Sequence, residues 1–179
     1  MRSRIALITL FAGYTAVLVW AVLWKLELPH VGEAHERGIK LVPFVASNGF
    51  GASAPLEVAA NVLLFAPLGA FLRVIATGWR PMRIVCTLAA ASLALEVLQY
   101  VLAVGSSDST DVISNTVGGI AGMGLVLLSP SPILATRLLA AATLVAIAIA
   151  FVVPRSRPPE APLGGTTDQI RVELPAAAR

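Results

Sequence analysis

The sequence predicts an all-α fold, a polytopic membrane bundle of about five transmembrane helices. Three observations carry this. Of 179 residues, 57% are hydrophobic and only 13% are charged, where soluble domains hold about 25% charged residues. The mean hydropathy is +0.83. The apolar residues fall into runs of roughly 20, the length that crosses a bilayer. A water-soluble globule of this size could not cover so apolar a core. Disorder and a disulfide scaffold are excluded by the same composition and by a single cysteine, Cys86. The formal charge of +3 is modest and spread over connections. It reads as topology and not as nucleic-acid binding.

Taken in order, the first span runs from about Ile5 to Trp24. It is too long for the apolar region of a signal peptide and ends in Trp24-Lys25 without a small-residue cleavage pattern. Trp20 and Trp24 are expected near an interface. The second span, about Leu56 to Ala76, contains Glu57, Asn61 and Pro67. Pro67 removes the bond to the Leu63 carbonyl and is expected to kink it. The third, about Ile84 to Val104, holds Glu96, Gln99 and Cys86, the last expected as a buried thiol. The fourth, about Val112 to Leu128, is glycine-rich, with Gly118 and Gly122 in a G-x-x-x-G pair that lets helices approach closely. The fifth runs from about Ile133 to Val153. Residues 1–153 thus form the bundle, and 154–179 a flexible tail rich in proline.

Basic residues set the orientation. Arg2 and Arg4 precede span one, Arg73, Arg80 and Arg83 lie between spans two and three, and Arg137 lies between four and five. These regions should face the cytoplasm, with the amino terminus inside and the carboxyl terminus outside. The opposite side receives the loop of residues 25–55, whose charges balance, and the turn near Gly105–Asp111. Within the loop, Ile39–Val45 is apolar enough to dip into the interface, and Pro43 prevents a regular helix there.

The candidate site follows from depth. Glu57 and Asn61, four residues apart, share a face of span two; Glu96 and Gln99, three apart, share one on span three; Asp111 and Asn115, four apart, share one on span four. By helix rise, Asn61 and Gln99 lie roughly 8 Å below the outer boundary, Glu96 roughly 12 Å and Asn115 roughly 6 Å. A carboxylate in hydrocarbon costs several kcal/mol unless paired, hydrated or protonated. The six side chains are therefore expected to face one another around an outer-leaflet polar pocket, with Ser92, Ser109, Thr110 and Thr116 adding hydroxyls. Each has a plainer reading. Glu57 and Asp111 complement helix N-termini, and Asn61, Gln99 and Asn115 can join helices by hydrogen bonds. Glu96, an acid inside a long apolar run, points more strongly to a site.

Other chemistry is sparse. His30 and His35 with Glu33 and Glu36 read as a solvated loop and not as a metal site. No cofactor signature, phosphate loop or nucleophile elbow occurs. Ser106, Ser107 and Ser109 lack a nearby histidine, which argues against a serine hydrolase. The absence of a repeated half argues against transport.

Several stretches resemble one family. Glu57-Val-Ala-Ala-Asn61-Val-Leu-Leu-Phe65-Ala-Pro67-Leu-Gly69, Glu96-Val-Leu-Gln99 and Asp111-Val-Ile-Ser-Asn115-Thr-Val-Gly118 resemble, in order and spacing, the signatures of the VanZ-like membrane proteins. Lys40-Leu-Val-Pro43-Phe44 resembles the element that precedes them. Where the family commonly has an arginine before the aspartate, Gly105 is followed here by Ser106 and Ser107, which leaves the carboxylates without that basic partner. The resemblance covers about half the chain. It implies a small bacterial plasma-membrane protein of the cell envelope and a link to low-level resistance to teicoplanin. Combined with the polar residues, it points to binding of an amphiphile, a lipid-linked cell-wall precursor or a lipoglycopeptide, with membrane lipids as the surroundings. Two alternatives remain open: an intramembrane hydrolase or transferase using Glu96 as general base with Asp111, and a purely structural bundle.

Overall fold

The structure, a computed structural model, describes residues 2–24, 27–33, 37–46, 50–129, 131, 143 and 144. Its element order is α1 (Arg2–Trp24), β1 (Gly38–Lys40), α2 (Pro55–Ile75), α3 (Pro81–Leu102), β2 (Ser106–Asp108) and α4 (Ser109–Leu127). All four helices are long and apolar enough to cross a membrane. The expected fifth span and the tail lie outside the described residues, apart from Thr143 and Leu144.

The helix ends differ from expectation for local reasons. Pro55 and Pro81 each open a helix. Proline fits the first helical position because its missing N–H would have no partner there and its φ is already helical. This starts α3 three residues earlier than apolarity alone suggests. It ends at Leu102 because Ala103 adopts a left-handed conformation, φ 53°. The α3–α4 connection is not a simple turn. It contains β2, which pairs in parallel with β1, Gly38 opposite Ser106 and Lys40 opposite Asp108. Asp108 then caps α4, its side chain accepting from the Thr110 N–H at 2.8 Å. Pro67 lies inside α2, which continues past it. The Tyr14 hydroxyl donates to the Leu64 carbonyl, tying α1 to that region of α2.

The core lies between the helices. Phe65, Phe71, Ile84 and Leu88 are fully buried. Phe71 also stacks at a tilt against Phe11 and Tyr14 of α1, each with ring centroids 5.7 Å away. Cys86, expected in the interior, is exposed on α3. Its turn of helix presents Ile84 and Leu88 to the core instead, and Cys86 falls two residues from each.

The most extensive helix contact is between α2 and α4. A Cβ built at Gly118 would overlap the Val62 backbone, and one at Gly122 the Ala66 carbonyl. The two contacts step by four residues on both helices, as two helices running in the same direction require. Here the G-x-x-x-G pair of the sequence is used for backbone approach. Gly122→Ala is expected to lower stability by about 3 kcal/mol, the upper range for overpacking, because the obstacle is backbone. Gly124→Ala, which meets nothing within 4 Å, should stay within about 0.5 kcal/mol of the parent. Thermal unfolding of the purified proteins in detergent compares the two.

Candidate functional site

The α2–α4 contact carries the first site pair. Asn61 of α2 donates through Nδ2 to Oδ1 of Asp111 in the first turn of α4, at 2.7 Å. Glu96 of α3 is 3% exposed. Its Oε2 accepts the backbone N–H of Asp108 at 2.8 Å, and its main-chain carbonyl accepts the Ser107 hydroxyl at 2.7 Å. Asp111 and Asp108 both lie within electrostatic reach of this carboxyl group. Its second oxygen, Oε1, is buried and has no hydrogen-bond partner. Burying a polar atom without a partner costs free energy, a cost that a hydrogen-bond donor at Oε1 would remove.

The remaining expected residues divide. Asn115 is 1% exposed and donates to the Ser92 hydroxyl at 2.9 Å, one helical turn deeper than Asp111. Its Oδ1 is also buried and unpartnered. Gln99 does not join this group. Its Nε2 donates to the Val22 carbonyl near the end of α1, at 3.0 Å, so it joins α3 to α1. Glu57 is exposed in the first turn of α2, where its charge complements the helix N-terminus. The structure thus gathers Asn61, Glu96 and Asp111 at one level, with Asn115 beneath. Among the expected hydroxyls, Ser92, Ser109 and Thr110 face polar partners outside their own helices. Thr116 bonds back to the Val112 carbonyl of its own helix.

Sequence reasoning missed Lys40, Ser53 and Asp108. Although the expected arginine is absent, a cation does reach this end of the bundle, because the β1–β2 pairing sets Lys40 beside Asp108. Lys40 is 3% exposed, and its Nζ lies 3.0 Å from Oδ2 of Asp108 and 2.7 Å from the Ser53 hydroxyl. Ser53 donates to the same Asp108 oxygen at 3.1 Å. Having one proton, it then accepts from Thr110 at 2.9 Å. Burial pushes the Asp108 carboxyl up, but hydrogen bonds from Thr110, Lys40 and Ser53 outweigh it and hold the group below its ordinary value of 3.8. The available signal was an isolated lysine between Ile39 and Leu41, in a stretch otherwise apolar.

Chemically, the arrangement is rich in acceptors: carboxylates from two helices, two unpartnered buried oxygens, and one lysine already committed to Asp108. Among the described residues, no group of three His, Cys, Asp or Glu side chains is gathered to hold a metal. Removing one partner of the buried ion pair should be costly, because the other charge remains buried. Lys40→Met is expected to destabilise by about 3 kcal/mol, and adding Asp108→Asn to it should recover part of the loss. Because the folded-state pKa of Asp108 is depressed, its contribution is present above pH 3.8 and lost as pH falls through the lower folded value. The single variant Asp108→Asn should flatten that acid limb, read as unfolding midpoint against pH.

Residues 11–130 match the family described as VanZ/LLP1, a region that takes in all three site-bearing helices. The chain is 38% identical to Protein VanZ of Enterococcus faecium over 124 residues, 67% of this chain and 73% of the relative. No solved structure matches. Four membrane-competent helices and this relative fit a bacterial membrane protein. On both the family match and the extent of identity, the chain belongs to the VanZ/LLP1 family of membrane proteins.

Proposed function

We propose that this chain is a binding protein of the bacterial cell envelope, and that the polar end of α2, α3 and α4 takes the head group of an amphiphile. The observation that carries the reading is Glu96: a buried carboxyl group with one unpartnered oxygen, beside the Asn61–Asp111 pair. Acceptors in this number call for donors, such as the hydroxyl and amine groups of a sugar or peptide head. A lipid tail would lie along the apolar helix faces. A lipid-linked cell-wall precursor and a lipoglycopeptide such as teicoplanin share this chemistry. A role in low-level teicoplanin resistance follows from the second.

The positive-inside rule supports an extracytoplasmic site. Arg4 at the start of α1, Arg73 near the end of α2, and Arg80 and Arg83 at the start of α3 lie at the opposite end from Glu96. The amino terminus is then cytoplasmic. If the chain crosses a fifth time, the carboxyl terminus is outside.

The proposal is tested with the full chain in nanodiscs, using labelled teicoplanin and a polyprenyl-pyrophosphate disaccharide as probes. Glu96→Gln keeps the shape and replaces the carboxyl group by an amide. It is expected to weaken binding of at least one probe by about tenfold or more, as loss of a buried hydrogen bond does, while unfolding midpoints show that the fold is kept. Unchanged affinity in both Glu96→Gln and Asn61→Ala would overturn the reading. The proximity of Glu96 and Asp111 favours one second reading, an intramembrane hydrolase or transferase with Glu96 as general base. Turnover of the lipid-linked probe that Glu96→Gln abolishes, with binding kept, would select it.

A further inference from the structure

The loop before α2 is built the opposite way from a loop in water. Within residues 39–45 the one charged side chain is inside: Lys40 is buried against Asp108 and Ser53. Its large apolar residues are outside: Leu41 is 73% exposed, Val45 54%, Phe44 46% and Val42 44%. Ile39, which alternates with Lys40 on β1, is exposed as well.

This display is fixed. The Ser109 hydroxyl donates to the Leu41 carbonyl at 2.9 Å. The Phe44 N–H donates to the Thr110 hydroxyl at 2.9 Å, and the Val45 N–H to the Pro43 carbonyl at 2.8 Å. Phe44 itself has φ +64°, a left-handed conformation that is strained for a bulky side chain. Backbone strain of this kind persists only where the surroundings over-determine it. Here those surroundings turn an aromatic ring outward.

The height of the segment is fixed too. Ser109 and Thr110 form the first turn of α4, so Leu41–Val45 lies level with the start of a helix long and apolar enough to cross a membrane. At the same end of the bundle, Trp20 and Trp24 of α1 donate to the Glu27 and His30 carbonyls, each at 2.8 Å. Tryptophan is enriched at the level of lipid head groups. Arg37 lies over the Tyr100 ring, 5.9 Å from its centroid, and donates to the Val101 carbonyl. Val101 near the end of α3 and Ile113 near the start of α4 are exposed apolar residues as well.

We infer that Leu41–Val45 is an interfacial hook that inserts into the acyl-chain edge of the phospholipid leaflet on this side of the bundle. Its occupant is the lipid leaflet itself. Burial of four apolar side chains in lipid accounts for an outward face that water would disfavour.

The test uses the full chain with Cys86→Ser in phosphatidylcholine–phosphatidylglycerol vesicles. A nitroxide is attached at Leu41→Cys, Val42→Cys or Val45→Cys in separate variants. Collision rates are measured with oxygen, which partitions into hydrocarbon, and with a water-soluble nickel chelate. Leu63→Cys on the exposed face of α2 supplies the lipid pattern, and Gly78→Cys in the α2–α3 turn the aqueous one. Oxygen-dominated rates at two or more of the three loop sites are expected. Chelate-dominated rates at two or more would overturn the inference. So would low rates with both reagents, which would mean that protein, a second copy included, covers the segment. These readings need no ligand and do not depend on the binding proposal.

Discussion

The closest constraint in this molecule is the approach of two helix backbones. Between α2 and α4 there is no room for a Cβ at Gly118 or Gly122, since the carbonyls of Val62 and Ala66 already occupy those positions. In lipid, where apolar surface gains nothing by leaving its surroundings, packing and interhelical hydrogen bonds hold helices together. The glycine contact supplies the first, and the Asn61–Asp111 bond at its end supplies the second. Bulkier residues would part the two helices and separate the polar pair.

Around that contact the polar groups sort by the partner each can reach. Asp108 serves twice: its backbone N–H satisfies Glu96, and its side chain caps α4 and holds Lys40. Glu96 therefore takes support from main chain and not from a cation. This leaves the lysine to neutralise the Asp108 carboxylate. The deeper Ser92–Asn115 bond is shielded completely and joins α3 to α4 at the next level. Helix packing and polar pairing thus depend on the same few residues, which is why a role for Glu96 must be separated from one in stability by comparing binding with unfolding.

Much of this was legible from hydropathy and spacing alone. The four described spans follow from runs of apolar residues, but counting turns set Asn61 level with Asn115 and left Asp111, its partner in the structure, a turn higher at the helix entry. The direction of Gln99 could not be read at all, because it is decided by the Val22 carbonyl on a helix far away in the chain. Lys40 was hidden for a different reason. The charges of the 25–55 loop sum to a balance, and a sum says nothing of which member is buried. Only the three-residue pairing of β1 with β2 reveals it, and strands this short leave no periodic trace. Cys86 was misjudged because apolarity inside a span does not tell lipid from protein, and both accept a thiol.

Lys40 and Asp108 are separated by 68 positions, with two whole helices between them. A chain emerging from the ribosome exposes the lysine long before its aspartate exists, so the lysine must wait in water while α2 and α3 enter the bilayer. Their union is consequently a late event of biogenesis. It closes this end of the bundle only once the segment leading into α4 has been made, and a nascent chain arrested earlier is left with an open end.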